Sequence, residues 1–361
     1  LKNMGFSDPS KVSVHGYGGW PLDEDFSKEY IDDVPSTPVW RGSDYLLFYG
    51  KGPVKWEYDS SSQTFVHTNN PYSLYGYYFV TDATPTNDMT SVAQASGATN
   101  RITTYDDYLV HEQELVSLAK SGRELYGEDF SGATPRTLST FSSIPGITNE
   151  DAKVTMSFVS KVTSGTGVAS LSINQSNVLD VSIRSNREEY VKALEGVSTA
   201  VWKGEKSEKN SVVVSYNSAS HNNVRLNYVR LHFKRTLQPY GAYTFFRSIA
   251  SIGNVSRFVV QGANANTLVF DVTDAQRVRL METELNGSEL TFSIPAGTLR
   301  EFVLVRTDQS FISPEVVGEV ENQNLHALEQ KDMIIIAAKA FQTQAERLAE
   351  EHRATDGLTV E

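Results

Sequence analysis

The chain has 361 residues, 39% of them hydrophobic, enough to bury more than one core, so two or three domains are expected. A formal net charge of −12 speaks against nucleic acid or an anionic membrane surface as partner, because both call for basic patches, and leaves an acidic solvated surface as the plain reading. Without cysteine there are no disulfides and no thiolate metal sites, and no apolar run approaches the roughly 18 residues of a membrane span.

Leu1 does not look like a natural start and no signal peptide is visible, so export signals are expected upstream. Residues 11–20, Lys-Val-Ser-Val-His-Gly-Tyr-Gly-Gly-Trp, read as a strand running into a glycine-rich turn. A phosphate-binding reading of these glycines would need a helix next, and Trp20-Pro21 follows instead. Asp23-Glu24-Asp25 and Asp32-Asp33 offer hard oxygen ligands but lack the alternating spacing of a calcium loop, so no cofactor is expected and calcium stays only a candidate.

From Asp44 onward aromatic residues crowd together: Tyr45, Phe48, Tyr49, Trp56, Tyr58, Phe65, Tyr72, Tyr75, Tyr77, Tyr78 and Phe79. Residues 45–49, 55–58 and 77–81 read as strands, with turns at 50–53 and 69–71, giving an aromatic-rich antiparallel β domain over 1–120. Trp56, Tyr72, Tyr75, Tyr77 and Tyr78 are the binding candidates, since such rings stack on sugars or clamp a peptide; the competing reading has them filling a small β core. Residues 82–101, rich in Thr, Ser, Asn, Ala and Gly, read as a mobile loop. His111-Glu112-Gln113-Glu114 falls short of the spacing that sets two imidazoles around zinc. Within residues 121–130, Glu124 and Glu128 could pose as an acid/base pair, although two carboxylates without a cleft are common.

The stretch 121–312 is all-β by pattern, a two-sheet, jelly-roll-like sandwich. Val154, Met156 and Phe158 alternate with Thr155 and Ser157, as in a strand with one wet face. The apolar phase slips by one residue between Val224, Leu226, Tyr228 and Val229, Leu231, Phe233, which calls for a β-bulge near Tyr228. A linker then leads to Asp332–Ala338, a short apolar run that reads as a strand buried on both faces. Phe341, Ala345, Leu348, Ala349 and His352 share one face of a helix that ends near Asp356-Gly357, and Leu358-Thr359-Val360 opens a second strand. Residues 313–361 are thus a linker and the truncated start of an α/β domain. With its sheet partners missing, the Ile334-Ile335-Ile336 run is expected to pack on the β domains, to pair with another chain, or to be disordered.

Several motifs resemble one family. Leu1–Phe6, residues 47–52 (Leu-Phe-Tyr-Gly-Lys-Gly), 56–59 (Trp-Glu-Tyr-Asp), 70–79, the 121–130 decapeptide, Asn322–His326, the strand at 332–336, the helix at 344–353 and residues 356–360 are similar to gingipain-like cysteine peptidases, in particular the sortase of the type IX secretion system of Bacteroidetes. Gly122, Arg123, Glu124, Gly127, Glu128, Asn324 and His326 fall on the family's signature positions, with Leu125 where a larger aromatic is usual. The resemblance implies a caspase-like catalytic domain downstream, whose His and Cys would lie beyond Glu361. This chain then has no catalytic residues of its own and is a non-catalytic N-terminal segment that scaffolds, shields or presents substrate. The implied partners are that catalytic domain, secreted cargo and outer-membrane secretion components; the implied location is the cell surface. A glycan- or protein-binding β-sandwich module, and a purely structural fragment, are the alternatives.

Overall fold

Apolar side chains at every second position lay the strand Ala152–Lys161 against one core, and its neighbours continue the same pattern. The computed structural model describes residues 1–361 apart from 26, 28–32, 121, 122 and 322. Asp32, the Ser121-Gly122 pair and Asn322 therefore lie outside the described residues. The chain forms two compact units, Leu1–Phe311 and Ile312–Glu361.

In the first unit the main element is a nine-stranded sheet, with strands in the order Leu194–Trp202, Ala152–Lys161, Asn222–Thr236, Thr104–Glu112, Tyr243–Arg247, Glu301–Arg306, Thr267–Asp271, Arg279–Met281 and Thr90–Val92. Two four-stranded sheets cover one face of it. The sheet built on Arg136–Thr137, Val212–Tyr216, Thr166–Ile173 and Ser176–Arg184 closes a core around Met156, Phe158, Leu171, Val214 and Leu226. The sheet built on Glu284–Asn286, Glu289–Ile294, Ser256–Val260 and Asn100–Ile102 closes a second core. There Phe258 stacks on Phe292 at 5.0 Å and Phe246 on Phe302 at 5.4 Å.

The long sheet thus belongs to two sandwiches, joined where Thr104–Glu112 meets Tyr243–Arg247 through the single pair Asp106↔Arg247. Charge fills this seam. Fully buried Arg247 donates from Nε to Glu301 at 2.7 Å and from NH1 to the Asp106 carbonyl, and its guanidinium lies 4.3 Å over the Tyr108 ring. The Asp106 carboxylate takes His232, Lys234 and the Ile249 amide.

The opposite face carries the N-terminal elements. The hairpin Val54–Asp59 and Thr64–Asn69 lays Trp56 flat on Tyr108 at 4.0 Å and His67 against Glu112. Trp40, Leu47 and Tyr49 pack on Phe270, Val303 and Val305. The polar face of Ala152–Lys161 is not wet: Thr155 and Ser157 are buried, bonded to Thr199 and Glu195.

The expected bulge is present. The register of Asn222–Thr236 against Ala152–Lys161 shifts between Ser157↔Tyr228 and Phe158↔Leu226, leaving Asn227 as the extra residue and returning Val229 and Leu231 to the core. Residues 82–101, by contrast, are not simply a loop, since Thr90–Val92 and Asn100–Ile102 pair in parallel with Arg279–Met281 and Ser256–Val260.

In the second unit the helix Gln342–Glu351 continues as a wider turn to Asp356 and ends on Gly357 at φ 70°. The apolar run before it differs from expectation. It forms a parallel bridge Met333↔Val360, with Ile335 N–H on the Glu361 carbonyl, yet Ile334 is 66% and Ile336 95% exposed. An ordered, self-paired segment with its isoleucines in water corrects the expectation of a doubly buried strand and of packing, pairing with another chain or disorder: the run finds a partner on one edge within its own unit.

Candidate functional site

The glycines of residues 16–19 are explained by packing. A Cβ on Gly19 would lie 2.9 Å from the Gly52 carbonyl carbon, and one on Gly76 would lie 2.6 Å from Lys51 O and 2.7 Å from Gly19 N. Three turns, at 18–19, 51–52 and 76, therefore meet backbone to backbone, and Gly18 also holds φ +77°. Tyr78 seals the junction: its hydroxyl accepts from Lys51 N–H at 2.8 Å and its ring meets Phe48 edge-on at 4.9 Å, while burial pushes its phenol pKa up.

This junction sorts the aromatic candidates. Trp56 and Tyr78 turn inward onto Tyr108 and Phe48. Tyr72, Tyr75, Tyr77 and Phe79 stay at the surface, at 79, 68, 56 and 45% exposure, with Leu74 among them. Tyr77 and Phe79 lie two apart on Tyr77–Thr81 and so face one way, and the Tyr75 ring, just before the strand, lies 6.4 Å from that of Tyr77. At the margin, the Tyr72 hydroxyl reaches Glu24 Oε1 at 3.4 Å, and Arg123 pairs with Glu24 Oε2 at 3.0 Å. That hydrogen bond to Glu24, and the charge of the carboxylate, raise the Arg123 pKa. Glu24 thus ties Arg123 to the aromatic surface across almost a hundred positions of sequence, a link that no local spacing could have announced. Contiguous apolar surface of this kind, rimmed by charge, suits a protein or sugar ligand.

The other signature residues do different work. Gly127 runs between two strands: its N–H donates to Leu226 O at 2.8 Å, and a Cβ would meet Gln113 O at 3.0 Å. Glu124 is exposed, whereas Glu128 is taken up by buried His111, Oε1 to Nε2 at 2.6 Å, so each carboxylate has its own surroundings. In the second unit the Asn324 side chain accepts from Ala327 N–H, capping the single turn Leu325–Ala327 that carries His326. Among the described residues no group of three or more His, Cys, Asp or Glu is placed to hold a metal ion, and no helix is long and apolar enough to cross a membrane. Sequence reasoning passed over His111 because it sought a second imidazole four residues on; the partner is a carboxylate seventeen residues away.

Neither a protein-family model nor a curated protein matches the chain. Among solved structures, dimeric latent PorU from Porphyromonas gingivalis superposes with a TM-score of 0.91 and 31% sequence identity over 100% of this chain. A cycloisomaltooligosaccharide glucanotransferase from Paenibacillus sp., complexed with cycloisomaltoheptaose, aligns over 59% of this chain and 45% of its own at a TM-score of 0.18 and 7% identity, too little to carry an argument. The chain spans 35% of the length of the PorU chain it matches. Over its whole length this chain is therefore similar, in fold and in sequence, to the part of PorU that it covers, in line with the resemblance expected from its motifs.

Proposed function

We propose that this region is the non-catalytic platform of an exported, sortase-like cysteine endopeptidase that processes cargo of type IX secretion at the cell surface. The observation that carries the reading is the full-length similarity to PorU in a chain without cysteine. A cysteine peptidase built this way must draw its nucleophile from a further domain. The two sandwiches supply a rigid base, and the exposed Tyr72, Tyr75 and Tyr77 are the groups assigned to cargo or to an outer-membrane secretion component. The test uses the parent enzyme with Tyr72, Tyr75 and Tyr77 changed to Ala. Cleavage of whole cargo is expected to fall while hydrolysis of a short peptide stays unchanged; equal loss of both, or of neither, overturns the platform role.

The same exposed tyrosines support a second reading, a carbohydrate- or protein-binding module independent of any peptidase. A glycan array and calorimetry on this chain separate the two, because saturable sugar binding abolished by Tyr75→Ala is expected only of a lectin-like surface.

A further inference from the structure

We propose that Thr140, His111 and Glu128 form a nucleophilic relay in which the Thr140 hydroxyl takes an acyl group from an ester. Thr140 Oγ1 lies 2.8 Å from His111 Nδ1, and His111 Nε2 lies 2.6 Å from Glu128 Oε1. The three residues come from three separate places: the strand Thr104–Glu112, the segment after Gly127, and the single turn Ser139–Phe141. Each is anchored. His111 is buried beside Phe141; Leu226 N–H donates to the Glu128 carbonyl; the turn is fixed by Ser142 N–H on Ser139 O and Asn210 N–H on Ser142 O.

The protonation pattern follows from the partners. Burial would raise the Glu128 carboxyl, but the hydrogen bond from His111 and the more distant Arg136 hold it below its ordinary value. An ionised carboxylate can only accept, so Nε2 donates to Glu128, and in the neutral ring that leaves Nδ1 as the acceptor for the Thr140 hydroxyl. This is the logic of a hydroxyl, an imidazole and an orienting carboxylate, with the two ring nitrogens exchanged. The base and the carboxylate are shielded, while Thr140 stands at the surface where a substrate reaches it.

In the step itself, Oγ1 attacks the ester carbonyl and forms a new C–O bond as the bond to the leaving oxygen breaks. The hydroxyl proton passes to Nδ1 and then to the leaving group. Water, activated by the same nitrogen, hydrolyses the threonyl ester and restores the hydroxyl, with nothing oxidised or reduced. Thr140 is the catalytic nucleophile, His111 the base and Glu128 a positioning residue.

The test is p-nitrophenyl acetate on the full 361-residue chain, with the adduct mapped by peptide mass spectrometry. Acetyl is expected on Thr140 about 10²-fold faster than on Thr137, another exposed threonine close by, with a solvent deuterium isotope effect that a merely structural His111 would not produce. Thr140→Ala should abolish the adduct and the nitrophenolate burst, and Thr140→Ser, which keeps the hydroxyl on buried His111, should keep both. Glu128→Gln should slow acylation with an unchanged circular dichroism spectrum. Acetyl spread over other residues without enrichment at Thr140, or an unaltered burst in Thr140→Ala, overturns the relay.

Discussion

A methyl group at Gly76 would sit 2.6 Å from Lys51 O and 2.7 Å from Gly19 N, and neither backbone atom can swing away. Gly76→Ala should therefore cost about 1–3 kcal/mol by overpacking, read as a lower urea midpoint, whereas Gly52→Ala, whose Cβ meets nothing within 4 Å, should stay within about 0.5 kcal/mol. Equal effects would remove the interlocked-turn account. These glycines were visible in the sequence as turns; that they are also a contact was not, because positions 19, 51 and 76 meet only in three dimensions. The same applies to Tyr75 and Tyr78, chemically alike, of which one faces water and the other closes the junction. Buried charge belongs to this scale too. Burial opposes ionisation of Asp106, but His232, Lys234 and the Ile249 amide outweigh it and hold its pKa below the ordinary value. A depressed carboxyl stabilises the fold above the unfolded value near about 4, and that stability is lost as pH falls through the lowered folded value; Glu128 adds with the same sign. Asp106→Asn should then lower stability at neutral pH and flatten the acid limb of a stability-versus-pH curve, and an unchanged acid slope would contradict the assignment.

Elements were legible in proportion to their own periodicity. Asn222–Thr236 announced its bulge because an apolar phase slip has few other remedies, and Asn227 supplies it. Thr90–Val92 and Asn100–Ile102 were hidden because three residues make no period, and their parallel partners lie more than a hundred residues away. Ser157 misled for a different reason: alternation shows which residues are polar, not whether they are exposed, and Ser157 is buried and donates to Glu195. The segment after residue 312 reads in the sequence as a linker. Its described residues through 330 are all exposed, and its only regular structure there is the turn Leu325–Ala327. Between Arg306 and Lys331 it has no Lys or Arg, but it carries Glu315, Glu319, Glu321 and Glu329. Exposed, extended backbone is what a protease needs. A glutamyl endopeptidase should cut here first, seen as a core fragment on a gel with its new terminus sequenced, and earlier cutting within the sheets would show the segment to be protected.

At the scale of the whole molecule, two sandwich cores share one sheet yet touch through a single strand pair, Asp106↔Arg247. Loss of Arg247 would leave Glu301 without its buried counter-charge, Asp107 with Arg235 alone and Tyr108 without its cation, a change of about 3–5 kcal/mol when one partner of a buried pair is removed. Because that seam is what couples the cores, the penalty should appear as lost cooperativity more than as uniform weakening. The unaltered chain is expected to show one main calorimetric transition for 1–311; the second unit, whose buried hydrophobics are Ala349 and Val360, has too small a core to give its own. Arg247→Leu should split that transition in two, with aromatic signals from Phe258 and Phe292 and from Phe158 and Tyr216 melting at different temperatures. A single transition, merely shifted downward, would mean that the backbone pair and the covering hairpin of Trp56 and His67 suffice to couple the cores, and that Arg247 is only a buried ion pair.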